Sequence, residues 1–262
     1  MSPRATLLPL LPLLPLLLCL GLAGPAAAAP AVQTLPLALG EQATVYDLYL
    51  PRDPPRAMAL VAHGFTRSRA QHVQLATRLA EAGFLVAVPD LPHWTRHEAN
   101  ADALVALAAE LAALPCATQL PVVLIGTSAG GLATLLAAER VPRLVLWVGL
   151  DPVDAFRQGR RAAQALPVPA LVLRAPASAC NVGGSARRIA GWLPEGHTLR
   201  RIDDASHCDF EAPTDARCEQ ICGAADAARQ AQVVQITVEA ALQAVPAAAL
   251  ADAVACVSAP RP

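Results

Sequence analysis

Leu124-Ile125-Gly126-Thr127-Ser128-Ala129-Gly130-Gly131 is the stretch from which the fold is read. It carries the pattern G-x-S-x-G. Four apolar residues, Val122 to Ile125, run into it, and Leu132 to Ala138 run out of it as a helix-like segment. A strand, a sharp turn and a helix are the context in which such a serine becomes a nucleophile. On that turn the serine takes a strained backbone and points its hydroxyl away from the sheet. Gly126 and Gly130 are small because strand and helix backbones pass close to the turn. The Ala129 N–H lies at a helix N-terminus, where a developing oxyanion is stabilised. The competing reading is a Gly/Ser-rich strand–helix turn with no chemistry.

Working outward, the chain alternates short apolar strands with helical stretches. Ala43 to Leu50 reads as an edge or early strand and Ala57 to Ala62 as a buried one. Phe84 to Val88, Leu144 to Leu150, Ala170 to Leu173 and Thr198 to Ile202 follow as strands. Gln71 to Ala82, Ala101 to Leu114, Ser185 to Leu193 and Ala227 to Val245 carry helical spacing. This alternation predicts a mostly parallel central sheet with helices on both faces. Fewer than twenty residues, 152 to 169, separate Asp151 from the next strand, too few for a large lid domain.

The candidate reactive groups fall where strands end, which is where open parallel sheets place their sites. A serine hydroxyl needs a base. His207 follows a late strand and is placed to reach back over Ser128. Of the other histidines, His63 reads as structural, His72 and His197 as surface residues, and His93 and His97 as neighbours of the site mouth, with His93 a candidate substrate contact. The third member must be a carboxylate on the far nitrogen of the imidazole. Asp151 directly ends the strand Leu144 to Leu150, and Asp154 lies three residues on. Asp203 and Asp204 end the histidine's own strand. Asp151 is the first choice and Asp154 the alternative. Aromatic residues make up only 3% of the chain, so Trp94 near the mouth stands out as either a substrate contact or a packed ring.

The order serine, acid, histidine is that of the α/β-hydrolase fold, and the chain resembles α/β-hydrolases of the chlorophyllase and polyester-hydrolase (cutinase-like) branch. Three stretches carry the resemblance. His63-Gly64-Phe65-Thr66 is similar to the oxyanion loop, Gly126 to Gly131 to the nucleophile turn, and Gly149-Leu150-Asp151-Pro152-Val153-Asp154 to the segment bearing the acid. Ala129 stands where the chlorophyllase turn carries an arginine. The resemblance implies a serine carboxylic-ester hydrolase with catalytic Ser128, Asp151 and His207 and an oxyanion hole of the Phe65 and Ala129 N–H groups. It implies no cofactor. An amidase, peptidase or thioesterase on the same triad, and a non-catalytic ligand-binding protein of the same fold, are the other readings.

The ends and the composition set the surroundings. Residues 1–29 have the form of a secretory signal, with Arg4, the apolar run Leu7 to Leu22 interrupted by Pro9, Pro12 and Pro15, and small residues at 26–29. Periplasmic or extracellular location is expected, without membrane insertion. Residues 30–262 are long enough for one domain. A net charge of −1 excludes an electrostatic nucleic-acid binder. A small-molecule or polymer ester substrate and a monomeric state are expected. Cys116, Cys180, Cys208, Cys218, Cys222 and Cys256 follow the signal, an even set that suggests disulfides. Cys180 and Cys208, on loops after neighbouring strands, are placed to meet, and Cys218 and Cys222 are expected to pair elsewhere than with each other. The spacing of His207, Cys208, Cys218 and Cys222 fits no usual zinc pattern, so no metal is expected.

Overall fold

The computed structural model describes residues 29–39 and 42–245. The signal reading at 1–29 therefore lies, Ala29 apart, outside the described residues, as does Cys256. Eight strands form one sheet: β1 (Ala31–Leu39), β2 (Gln42–Leu50), β3 (Ala57–Ala62), β4 (Phe84–Pro89), β5 (Val122–Thr127), β6 (Leu144–Leu150), β7 (Ala170–Arg174) and β8 (Thr198–Arg201). Their spatial order is β1-β2-β4-β3-β5-β6-β7-β8. The β1–β2 and β2–β4 pairs are antiparallel, and every pair from β4 to β8 is parallel.

The helices are α1 (Val73–Glu81), α2 (His97–Ala112), α3 (Ala129–Ala137), α4 (Arg160–Gln164), α5 (Ser185–Ala190), α6 (Ala216–Cys222) and α7 (Ala227–Ala244). Side chains on successive strand positions point to opposite faces, and both faces of the inner strands are buried. Ala57, Ala59 and Val61 pack with Val86 and Ile125 under α1 and α7. Met58, Leu60 and Ala62 pack with Leu124 and Trp147 under α2, α3, α4 and α5. That is why β3, β4 and β5 read as continuous apolar runs rather than alternating ones.

Three elements were not expected. Strand β1 contains Pro36 and leaves most of its residues at least partly exposed, as an outermost strand can. Helices α4 and α6 are five and seven residues long. Segments that short carry little periodicity. Between β6 and β7 only α4 interrupts the loop, so among the described residues no large lid is inserted there.

Candidate active site

The serine turn is built from close backbone approaches. Ser128 sits between β5 and α3 with φ 54° and ψ −124°, a conformation that costs energy for a residue with a side chain. Neighbouring backbone holds it there. The Ser128 N–H donates to the Leu150 carbonyl at 3.0 Å, and the Ser128 carbonyl accepts from Val153 at 2.9 Å and Gly131 at 3.0 Å. A Cβ on Gly126 would lie 2.3 Å from the Gly130 carbonyl oxygen, and one on Gly130 would lie 2.4 Å from the carbonyl oxygens of Ala62 and His63. The two glycines are thus fixed by space, as the motif requires.

His207 opens a short 3₁₀ turn, His207–Phe210, which Ser206 caps. The Ser206 hydroxyl accepts from the Cys208 N–H, and Asp209 Oδ2 accepts from the Ser206 N–H at 2.7 Å. Asp209 is fully buried and also takes the Arg229 guanidinium at 3.0 Å, tying the histidine turn to α7. The ring is oriented by an acid: His207 Nδ1–H donates to Asp151 Oδ2 at 2.7 Å. Asp151 is itself fully buried and has φ 41°. Its Oδ1 accepts from the Ala175 N–H at 3.1 Å, and its Oδ2 also accepts from the Asn181 amide at 3.1 Å. Asp154 is buried as well, but its carboxylate accepts from the N–H groups of Gln158 and Gly159, at 2.9 Å each. It closes the loop before α4. Asp203 pairs with Arg201 at the surface. Of the four acids, Asp151 is the one against the ring.

Ser128 and His207 open onto one cavity of about 270 Å³, whose walls include Phe65, Arg67, Glu211 and Ile221. Phe65 and Ala129 share a narrow recess beside it with His93 and Trp94. Trp94 and Phe65 meet edge to face, with ring centroids 6.2 Å apart and planes at 77°. Both rings stay substantially exposed, so Trp94 is an open ring at the mouth rather than one packed under a loop. The backbone of His93 is clamped by Asn100, which accepts from its N–H and donates to its carbonyl. His63 is structural. Its Nδ1–H donates to the Gly64 carbonyl at 2.8 Å and its Nε2 accepts from the Leu91 N–H at 2.8 Å, while burial lowers its pKa and favours this neutral form. The ring so joins the loop after β3 to the loop after β4, and Gly64 packs directly on Ser128.

Two expectations are corrected. His72 is not a surface residue: it is 1% exposed, and burial, with His63 and Arg67 nearby, lowers its pKa to about 3. The apolar residues around it gave no hint, because it falls in the 3₁₀ turn before α1 rather than on the helix's open face. Cys180 and Cys208 do not meet. Cys180 bonds to Cys222 and Cys208 to Cys218. Cys218 and Cys222 do pair away from each other, and α6 becomes a wall of the cavity stapled at both ends. The sulfurs of Cys208, Cys218 and Cys222 lie within 4.8 Å of one another, and each is already committed to a disulfide.

A charged pair not singled out in the sequence closes the other wall. Arg67 Nε donates to both Glu211 oxygens at 2.9 and 2.8 Å, and Arg67 Nη1 reaches Asp215 at 2.9 Å. Burial raises the Glu211 pKa against the opposing pull of Arg67. This bidentate pair joins the loop carrying Phe65 to the loop carrying His207.

Among solved structures the chain is similar to a dienelactone hydrolase from Anabaena variabilis, with a TM-score of 0.69 and 21% identity over 84% of this chain and 100% of that one. The chain has the α/β-hydrolase fold. An esterase domain from a Rhodothermus marinus protein follows with a TM-score of 0.65 and 18% identity, covering 82% of this chain and all of that one. A dienelactone hydrolase-like promiscuous phosphotriesterase from metagenomic libraries gives 0.65 and 15%, covering 84% of this chain and all of that one. No family model and no curated protein matches the sequence. Ser128, Asp151 and His207 all lie at the carboxyl ends of the parallel strands, directly after β5, directly after β6 and in the loop after β8.

Proposed function

We propose that the protein is a secreted serine carboxylic-ester hydrolase. The observation that carries the reading is the Nδ1–Oδ2 bond of 2.7 Å between His207 and a fully buried Asp151, with His207 and Ser128 on the same cavity. Ser128 Oγ attacks the ester carbonyl while His207 Nε2 takes its proton. The oxyanion that forms accepts from the Phe65 and Ala129 N–H groups. His207 then returns the proton to the departing alkoxide, leaving an acyl-serine. Water attacks that acyl group by the same route, and the acid is released with Ser128 restored.

The open mouth flanked by Phe65 and Trp94 suits an ester with an apolar part that is not enclosed. An acid placed after β6 supports assignment to the chlorophyllase and polyester-hydrolase branch. Two disulfides among the described residues suit an oxidising compartment. No described helix is long and apolar enough to cross a membrane.

The test is labelling of the mature protein by a fluorophosphonate, with mass mapping of the adduct, together with a chain-length series of nitrophenyl esters. Labelling at Ser128 that disappears in Ser128→Ala, with ester turnover falling by several powers of ten, is the expected result. Folded protein that neither labels nor turns over any ester, thioester or amide would leave a ligand-binding role.

A further inference from the structure

We propose that Asn181 is the positioning residue for Asp151, and that the loop after β7 supplies this amide where many α/β-hydrolases carry the acid itself. The inference rests on the triad reading above. It starts from the absence of any Asp or Glu between Ala175 and Ser185. That loop nonetheless reaches the buried acid. Ala175 N–H donates to Asp151 Oδ1 at 3.1 Å, and Asn181 Nδ2 donates to Oδ2 at 3.1 Å with a longer approach of 3.5 Å to Oδ1.

Asn181 is built to present a donor and nothing else. It is fully buried. Its Oδ1 accepts from the Ser178 N–H at 2.8 Å and the Gly184 N–H at 2.9 Å. Two backbone donors on one oxygen fix which end of the amide is oxygen, so the Nδ2 end must face Asp151. One Nδ2 hydrogen goes to the Pro176 carbonyl at 2.8 Å and the other to Asp151 Oδ2 at 3.1 Å. All four hydrogen-bonding positions of the side chain are filled. Asp151 Oδ2 is also the oxygen that holds His207 Nδ1. The amide therefore presses on the same oxygen as the imidazole and stops the carboxylate from rotating toward the loop. Cys180, the preceding residue, is bonded to Cys222 of α6, which anchors the loop to the segment that follows His207. The other charged groups bearing on this pair are Arg174, near Asp151, and Glu211, near His207.

Asn181→Asp is the sharp test. It is isosteric and keeps the oxygen that Ser178 and Gly184 require, but it replaces the donor facing Asp151 by a second carboxyl oxygen. Two carboxyl groups at this distance titrate as one coupled pair, and once both are ionised a second negative charge stands beside the imidazole. The acid limb of the pH–rate profile for a nitrophenyl ester is expected to move up by about a unit or more. Asn181→Ala removes the donor without adding charge, and its kcat is expected to fall roughly ten- to a hundredfold, the worth of one hydrogen bond to a charged group, with KM little changed. The low-field proton resonance of His207 Nδ1–H is read in both variants and in wild type, a measurement that does not need turnover. Displacement or loss of that resonance in both variants is expected. A limb, a kcat and a resonance that all match wild type within twofold, or within 0.3 pH units (about 0.4 kcal/mol), would overturn the assignment and leave Asn181 as a loop spacer. Should Asn181→Asp not fold, the kcat and the resonance of Asn181→Ala decide by the same limits. Were the wild type itself inactive on esters, the triad reading would fail while the resonance still reported on Asn181.

Discussion

Replacing Asp151 by asparagine probes the centre of the site, because the surroundings dictate how the new amide must sit. In the wild type every group facing the carboxylate is a donor: the Ala175 N–H on Oδ1, and the Asn181 amide and His207 Nδ1–H on Oδ2. An asparagine brings one acceptor and one donor into a pocket made for two acceptors. With Nδ2 toward His207 it opposes the Asn181 amide and donates to Nδ1, which drives the ring proton onto Nε2, where Ser128 needs an acceptor. With Nδ2 toward Ala175 it opposes a buried backbone N–H. Either way two donors face each other, at a cost of roughly 1–3 kcal/mol in stability, and the charge opposite the imidazolium is lost. Loss of that tautomer and charge in a Ser-His-Asp site costs roughly 10⁴ in kcat, about 5.4 kcal/mol of barrier. The assay is steady-state hydrolysis of a short nitrophenyl ester, with urea denaturation on the same preparations. The matching Asp154→Asn variant keeps an acceptor for only one of the Gln158 and Gly159 N–H groups and is expected to lose stability while keeping turnover within tenfold. Asp151→Asn within tenfold of wild type, or Asp154→Asn as the variant that collapses, would refute the reasoning.

His72 makes the fold acid-sensitive in a defined window. Its folded pKa lies below its ordinary value, so the unfolded chain takes up the proton first, and stability is lost as pH falls from about 6.5 toward about 3. At pH 4.5 the cost is roughly 3 kcal/mol relative to pH 8, and His72→Leu should remove most of that difference in paired urea titrations. Arg67→Met strands the buried Glu211 carboxylate and should cost roughly 3–5 kcal/mol, most of it returned by adding Glu211→Leu; an Arg67→Met variant as stable as wild type would show that the pair is idle. Removing the Cys180–Cys222 bond by paired serine substitutions should cost about 3.9 kcal/mol, and removing Cys208–Cys218 about 2.7 kcal/mol, because the loops they close span 42 and 10 residues. The reverse ranking by chemical denaturation would contradict the chain-entropy account.

The turn around Ser128 was legible because its determinants are neighbours in the chain. An apolar run, two glycines at fixed spacing and a small-residue helix specify strand, turn and helix without outside help. The buried strands β3 to β7 were legible for a related reason. A strand covered on both faces is apolar throughout, and each of these runs is short and closed by turn residues. Strand β1 was missed because an outermost strand needs no such run and tolerates Pro36. Helix α6 was missed because its seven residues are held less by periodicity than by bonds at Cys218 and Cys222 to partners 10 and 42 residues away.

The sequence by itself determined the layered α/β architecture, the strained serine, the late histidine and a short list of acids. These follow from local pattern and from the rule that reactive groups gather at the carboxyl ends of parallel strands. Only the tertiary structure set Asp151 rather than Asp154 against the His207 ring, paired the cysteines, buried His72, and brought Arg67 against Glu211 and Asn181 against Asp151. Each of those is a contact between residues distant in the chain, fixed by how the loops after β3, β6, β7 and β8 converge over one end of the sheet. A carboxylate does not announce its partner in sequence. Asp151 and Asp154 both end up fully buried, and what separates them is the direction from which their donors come.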